Sequence, residues 1–261
     1  MSKYVLISDT TLTHEYRNFP LLDFLSCAPS NSLPRFVYSY LKGNAKPPLS
    51  NGSASVAPYS VRKMEAALLQ NYRSEEVAVP HEDYLEEFVG PDTEVIGVST
   101  MDPLGLGPLT MSFAMLFGSG YVPYVRLEFE ALIARVNRAR KSAGGKAKLV
   151  IGGPGVWELT VMPEAMNELG IDYAFQGEAD DIASDLFGQI SSGTMSNNML
   201  FEGFQSFDEG YHKFWSNHQK FISRRQFSKQ FPKLEEIPEI RHPATKGLVE
   251  VMRGCGIGCD F

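Results

Sequence analysis

Short runs of apolar, often β-branched residues alternate with segments of helical periodicity along the first 190 residues of this chain. The runs at 4–8, 76–79, 94–99, 148–152 and 172–175 predict five β-strands. Helical spacing of apolar residues predicts helices at 61–72, 81–89, 126–141, 162–169 and 179–190. Because several of the strands are apolar throughout, the pattern predicts a parallel sheet that is covered by helices on both faces.

Five strands with this spacing are typical of an α/β, flavodoxin-like doubly wound sheet, which we assign to residues 1–191. Residues 192–247 are aromatic, partly basic and poorly periodic, and we interpret them as a linker. A further strand is predicted to begin at 247–252, so a second domain is expected to start at residues 248–261. The stretch 26–60 is rich in Ser, Pro, Asn and Gly, which indicates a long loop excursion.

The charge and cysteine content exclude several functional classes. Lys and Arg number 24 against 31 Asp and Glu, a net charge of −7 that disfavours binding to nucleic acid or to anionic lipid. The three cysteines are too few for a disulfide scaffold and indicate a reducing, cytoplasmic location. The N-terminus lacks a signal-peptide pattern, and glycines and prolines interrupt the most apolar stretch, 103–125, so we expect no membrane segment.

The carboxyl ends of the predicted strands are where an open α/β sheet binds its ligands. Small, polar or glycine residues follow four of them, and these are our predicted cofactor-binding residues: Asp9, Thr10, Thr11, Ser99, Thr100, Met101, Asp102, Pro103, Gly152, Gly153, Pro154, Gln176, Gly177 and Glu178. Together they predict a planar or nucleotide-like cofactor. The glycine turn at 152–155 matches neither the phosphate-binding loop nor the dinucleotide fingerprint. A plain tight turn would also explain each glycine taken singly.

A cysteine pair near the end of the chain predicts a metal centre. Cys255 and Cys259 are four residues apart, flanked by Gly254, Gly256 and Gly258, directly after the strand predicted at 247–252. Glycines at these positions give the flexible loop from which thiolates bind an iron–sulfur cluster. Two thiolates alone complete neither a zinc site nor a cubane, and two unrelated buried cysteines are the alternative.

The segment 249–261, with its C-x-x-x-C-x-F pattern, resembles the opening of a radical S-adenosylmethionine (SAM) domain. The upstream chain is similar to the cobalamin-binding domain that precedes the barrel in cobalamin-dependent radical SAM enzymes. The glycine turn 152–154, the turn 174–180 and the connector 232–240 carry this second likeness. The resemblance covers nearly the whole chain.

The resemblance implies that Cys255 and Cys259 are metal ligands of a [4Fe–4S] cluster whose open iron binds SAM. It also implies that the strand-end residues face the corrin of cobalamin, and that the partner is the radical SAM barrel of the same parent chain. A third cysteine is then expected directly after Phe261. The parent is expected to be a radical enzyme, such as a methyltransferase that acts on carbon, whereas this chain by itself is expected to bind cobalamin without catalysis.

None of the five histidines stands in the D-x-H-x-x-G motif whose histidine ligates cobalt in other cobalamin domains. Radical SAM members commonly lack that histidine, so the axial ligand stays unassigned. A weaker companion signature, S-x-L followed by G-G, is matched in part. Ser99-x-Met101 has Met in place of the Leu, and Gly152-Gly153 matches the G-G. We expect His14 and His81 to lie at the surface.

Two other functional classes stay open. The first is a degenerate cobalamin fold that docks or caps a barrel without a cofactor. The second is a flavodoxin-like protein that binds a different small molecule, although no nucleophile–base pair or phosphate loop is visible. A group of methionine and phenylalanine residues at 101–117 is expected to belong to the core.

Overall fold

The computed structural model describes residues 1–118, 120–195, 220–227, 234–248 and 250. Its centre is one parallel sheet of six strands, in the order β2-β1-β3-β4-β5-β6. The strands are β1 (Tyr4–Ser8), β2 (Val77–Ala78), β3 (Val95–Ser99), β4 (Lys148–Gly152), β5 (Tyr173–Gln176) and β6 (Phe221–Ser223). Strands β1 to β5 follow the flavodoxin-like order. The expected count of five strands is wrong, because a sixth strand, β6, extends the sheet. This strand comes from the stretch that the sequence indicated as a linker.

Strand β1 shows why both faces of the sheet are covered. Tyr4 and Leu6 pack into one apolar core, whereas Val5 and Ile7 pack into another on the opposite face. Successive side chains of a strand point to opposite faces, so an uninterrupted apolar run needs a helical layer on each side.

Helices form both layers. They are α1 (Thr10–Thr13), α2 (Arg35–Lys42), α3 (Tyr59–Leu68), α4 (Leu85–Phe88), α5 (Pro108–Phe117), α6 (Tyr124–Ser142), α7 (Val156–Val161), α8 (Glu164–Glu168) and α9 (Ala183–Ser192). Short 3₁₀ helices occupy Tyr16–Asn18, Pro20–Cys27, Glu82–Tyr84, Arg224–Phe227, Leu234–Glu236 and Thr245–Gly247. The core beneath α3 and α9 contains Tyr4 and Leu6, and the core beneath α4, α6, α7 and α8 contains Val5 and Ile7. Within the described residues, no helix has the length and apolar character that crossing a membrane requires.

Several elements differ from the sequence-based expectation. The helix predicted at 162–169 is the shorter α8, and α7 precedes it without having been predicted. The stretch 26–60, interpreted as loop, contains α2, whose Tyr38 stacks on Tyr124 with ring centroids 3.8 Å apart. Gly247, where a strand was predicted to begin, ends a 3₁₀ helix instead, and residues 249 and 251–261 lie outside the described residues.

Helix α5 corrects one expectation about the core. The predicted core group includes Met101, Met111, Met115 and Phe117, yet all four are exposed, Met115 by 84%. The uncharged sequence of α5 predicts burial, but its outer side has no covering element in the described part of the chain.

The register of the sheet aligns the ends of its central strands. Ser8 pairs with Ser99, and Ser99 pairs with Gly152, so β1, β3 and β4 end side by side. The strand order reverses between β1 and β3, which is the switch point where doubly wound sheets bind ligands. The fold therefore makes this edge of the sheet the candidate position of a ligand-binding site.

Candidate functional site

A cleft of about 810 Å³ opens at this edge, on the face of the sheet that α3 and α9 cover. Its floor is formed by the carboxyl halves of β3, β4 and β5, and residues of α3, α7 and α9 form its walls. The volume lies within the range of small-molecule sites, roughly 300–1,000 Å³. Seven predicted cofactor-binding residues line it: Ser99, Gly152, Gly153, Pro154, Gln176, Gly177 and Glu178.

Two adjacent glycines of the cleft differ in their physical role. Gly153 has φ +99°, and an added Cβ would lie 2.5 Å from the carbonyl oxygen of Thr100, so backbone geometry requires glycine there. Gly152 has no such positive φ, and among the described residues, its two chain neighbours apart, no atom lies within 4 Å of the position of its missing Cβ. Because Gly152 is on the same side of β4 as Val150, that open position faces the cleft.

Helix α3 brings polar groups to the cleft that the sequence did not single out. The hydroxyls of Ser60 and Ser99 lie 2.7 Å apart and form a hydrogen bond between α3 and the end of β3. The ammonium of Lys63 lies 3.2 Å from a carboxylate oxygen of Asp180, and both side chains are largely buried. Tyr59 and Trp157 add aromatic walls. Only the packing of α3 and α7 against the sheet reveals these residues.

The turn after β5 is held rigidly beside the cleft. Gly177 has φ +117°, and a Cβ there would come within 2.8 Å of the Cβ of Arg224. The guanidinium of Arg224 donates to the carbonyl oxygen of Glu178 at 2.8 Å and pairs with the carboxylate of Asp181. This ion pair raises the pKa of Arg224. Residues next to β6 thus fix the position of Glu178 at the cleft.

The predicted residues after β1 lie outside the cleft lining. Asp9 caps α1 by accepting from the backbone nitrogen of Thr11 at 2.9 Å, and burial raises the pKa of Asp9 to about 6. The hydroxyl of Thr10 donates to Glu128 at 2.6 Å and accepts from Lys42 at 2.9 Å. These groups form a separate, mostly buried polar cluster against α6.

The predicted residues after β3, apart from Ser99, also have structural partners. Thr100 is buried and its backbone nitrogen donates to the carbonyl oxygen of Gly152 at 2.9 Å. Asp102 accepts from the backbone nitrogen of Gly107 at 2.9 Å and from the hydroxyl of Thr110. Pro103 packs beside Gly155, and Met101 is exposed. None of the four predicted residues at 100–103 lines the cleft: Thr100, Met101, Asp102 and Pro103.

The two histidines expected at the surface are buried, which corrects that expectation. The ring of His14 lies between the carbonyl oxygen of Gly43 at 2.8 Å and the carboxylate of Glu82 at 3.0 Å. His81 accepts from the backbone nitrogen of Asp83 at 3.2 Å. Neither ring lines the cleft, so neither is placed to ligate a group bound there.

The predicted metal ligands Cys255 and Cys259 lie outside the described residues. Among the residues that are described, no group of three or more His, Cys, Asp or Glu side chains could hold a metal ion. The cluster site therefore stays a prediction from the sequence.

Fold and site define an α/β domain with a flavodoxin-like parallel sheet and a large cleft at its carboxyl edge. Neither known family profiles nor curated proteins match the chain. A solved structure of a radical S-adenosylmethionine methyltransferase, TsrM, from Kitasatospora setae, with tryptophan and a SAM analogue bound, is similar at 20% identity and a TM-score of 0.40. The alignment covers 76% of this chain and only 27% of that protein.

Proposed function

We propose that this chain is the cobalamin-binding domain of a radical SAM iron–sulfur protein. The glycine and acidic turns that resemble cobalamin-dependent radical SAM enzymes, at 152–154 and 174–180, contribute the floor and one rim of the cleft. The observation that carries the proposal is Gly152. Neither its backbone conformation nor its packing calls for glycine, so the missing side chain is best explained by a ligand that approaches the strand closely.

The residues present fit part of cobalamin, which consists of a corrin ring with an appended nucleotide. The cleft volume suits a nucleotide-sized group, and its largely aromatic and aliphatic walls suit a flat, apolar ring. The hydroxyls of Ser60 and Ser99 would orient that group by hydrogen bonds, and Pro154 and Gln176 would lie beside the corrin. When bound, cobalamin supplies a cobalt centre that can carry a methyl group.

The proposal extends to chemistry outside the described residues. Cys255 and Cys259 would provide two of the three thiolates of a [4Fe–4S] cluster, and the open iron would bind SAM. The whole protein would be a radical enzyme, such as a methyltransferase acting on carbon. This domain would hold the cobalamin and exclude water from the covered part of it, without performing the reaction alone.

The test is retention of hydroxocobalamin by the purified chain under anaerobic conditions. After mixing and desalting, we expect near one equivalent of corrin in the absorption spectrum of the protein fraction. Gly152→Val should abolish retention and Gly152→Ala should weaken it, because each added carbon occupies the open position. Gly188→Ala is the matched control, since a Cβ on that α9 residue would meet Tyr72 alone among the described residues, at the ordinary contact distance of 3.6 Å.

A colourless wild-type fraction, both for this chain and for the full-length protein, would overturn the proposal and favour the cofactor-free cap. Retention of FMN or a nucleotide instead would favour the flavodoxin-like alternative. For the cluster, iron and sulfide content of the full-length protein should fall on Cys255→Ala and Cys259→Ala. Cys27→Ala is the control, because that thiol is far along the chain from the motif, and an unchanged iron content in the first two variants would contradict the assignment.

A further inference from the structure

A small cavity of about 20 Å³ lies beside the end of β1, and we name it the β1 cavity. Its lining comes from β1, α1, the beginning of α3, the loop at 45–57 and the segment at 79–82 that follows β2. Within the described part of the chain, Val61 is the one residue that lines both this cavity and the cleft. The volume is enough for one water molecule, which requires roughly 10–15 Å³.

Three residues of this lining each have a buried polar atom without a hydrogen-bond partner among the described residues. The atoms are Oγ of Ser8, Oγ1 of Thr13 and Nε2 of His81. Buried polar groups are nearly always hydrogen-bonded, either to protein or to ordered water, because leaving a buried donor or acceptor unsatisfied is unfavourable. Three such atoms around one cavity therefore indicate a common partner inside it.

The chemistry of the three atoms selects the kind of partner. Nδ1 of His81 accepts from the backbone nitrogen of Asp83 at 3.2 Å, so the proton of the neutral ring is on Nε2, which is a donor. The hydroxyls of Ser8 and Thr13 can each donate or accept. A metal cation would meet the N–H of His81. The two ionised residues of the described lining, Lys46 and Glu82, have opposite charges and thus favour a neutral occupant over an ion.

We propose that the β1 cavity binds one water molecule, which accepts from Nε2 of His81 and is shared with the hydroxyls of Ser8 and Thr13. The water joins β1, α1 and the segment after β2 through hydrogen bonds that these side chains do not make to one another. It also gives the buried ring of His81 a partner on both of its nitrogens. Because the β1 cavity is separate from the cleft, this inference does not depend on the proposed function.

A crystal structure of the chain, at a resolution that shows ordered water, is the direct test. We expect one peak of electron density about 2.5–3.2 Å from each of the three polar atoms of Ser8, Thr13 and His81. Crystals grown with bromide in place of chloride distinguish water from a halide. Anomalous signal at the peak would overturn the assignment to water, and so would the lack of any peak.

The tautomer of His81 is the first readout in solution. Long-range ¹H–¹⁵N NMR should show the ring proton on Nε2. A ring that instead has its proton on Nδ1, where the exposed carboxylate of Asp83 lies 3.5 Å away, would overturn the proposed bond from His81 to the water.

A double-variant cycle tests whether one water serves both hydroxyls. Ser8→Ala and Thr13→Val each remove a hydroxyl with little change of shape. Their losses of unfolding free energy in urea should be less than additive in the double variant, because both variants disrupt the same water. Ser8→Ala with Thr93→Val is the matched control and should be additive, since the hydroxyl of Thr93 donates to the carbonyl oxygen of Ser2 at the opposite edge of the sheet. Additive losses in the test pair would contradict the shared water.

Discussion

The buried carboxyl group of Glu158 lies close to that of Asp102, which is also a buried acid. Burial, together with the neighbouring Asp102, raises the pKa of Glu158 to about 9. The backbone nitrogen of Leu104 donates to a carboxyl oxygen of Glu158 at 2.7 Å. Glu158 is therefore a neutral acid at pH 7, and it ties α7 to the loop that follows β3.

This pair predicts how stability changes with pH. An ordinary glutamate titrates near 4.5, so between pH 4.5 and 9 the folded chain holds a proton on Glu158 that the unfolded chain has lost. The free energy of unfolding should then fall with rising pH, by up to about 1.4 kcal/mol per unit from this group. Glu158→Gln should flatten the decline when urea unfolding is followed from pH 5 to 9. An equally steep decline in that variant would contradict the assignment.

The buried carboxyl group of Asp9 predicts a second pH range, at lower pH, in which the free energy of unfolding changes. Burial raises its pKa to about 6 from an ordinary value near 3.8, so its contribution to stability should fall as the pH rises from about 4 to 6. Asp9→Asn keeps an oxygen that can accept from the backbone of Thr11 and removes the charge. We expect urea titrations of this variant to show a shallower decline between pH 4 and 6, where only the contribution of Glu158 remains, and an unchanged decline above pH 6.

The two neighbouring glycines predict opposite outcomes for one chemical change. Gly153→Ala should lower the free energy of unfolding by about 1–3 kcal/mol, because the residue has positive φ and its Cβ would meet the backbone of Thr100. Gly152→Ala should leave the melting temperature within a few degrees of wild type. Thermal unfolding by circular dichroism compares them directly, and equal losses would mean that Gly152 has a packing role.

Breaking the buried ion pair of Arg62 and Glu65 should lower the free energy of unfolding by a large amount. The guanidinium donates to Glu65 at 2.8 Å and to the carbonyl oxygen of Ala54 at 2.6 Å, with almost no solvent exposure. Glu65→Ala should lower the free energy of unfolding by about 3–5 kcal/mol, because it removes the carboxylate that pairs with the buried guanidinium of Arg62. The double variant Arg62→Met, Glu65→Leu should recover part of that loss in urea unfolding, and a cost below about 1 kcal/mol for Glu65→Ala would show that the pair is solvated.

The local pattern of the sequence was sufficient for the elements that build the sheet. The bounds of β1 and β4 match the predicted runs, and α6 extends the predicted 126–141 by only a few residues. In each case the apolar period is strong and agrees with the tertiary environment. Strand β6 was missed because three residues are too few to show a period, and they form a strand only by pairing with β5.

The residues of the candidate site also divide into those that the sequence predicted and those that only packing brings together. Strand–helix alternation predicts that ligands bind beyond the strand ends, and the sequence alone therefore predicted Ser99, Gly152 and Gln176, which line the cleft. Which strand ends share a cleft was decided by packing: α3 and α9 frame β3, β4 and β5, whereas the end of β1 is enclosed by α2 and α6.

The sequence by itself determined the class of fold, the parallel sheet and the sheet edge at which the cleft lies, because these depend on short-range periodicity. Only the tertiary structure decided that Lys63 meets Glu250 across 187 positions, that His14 is buried against Glu82, and that α5 is exposed. Contacts between residues far apart in the chain depend on how whole layers pack, and no local pattern records that arrangement.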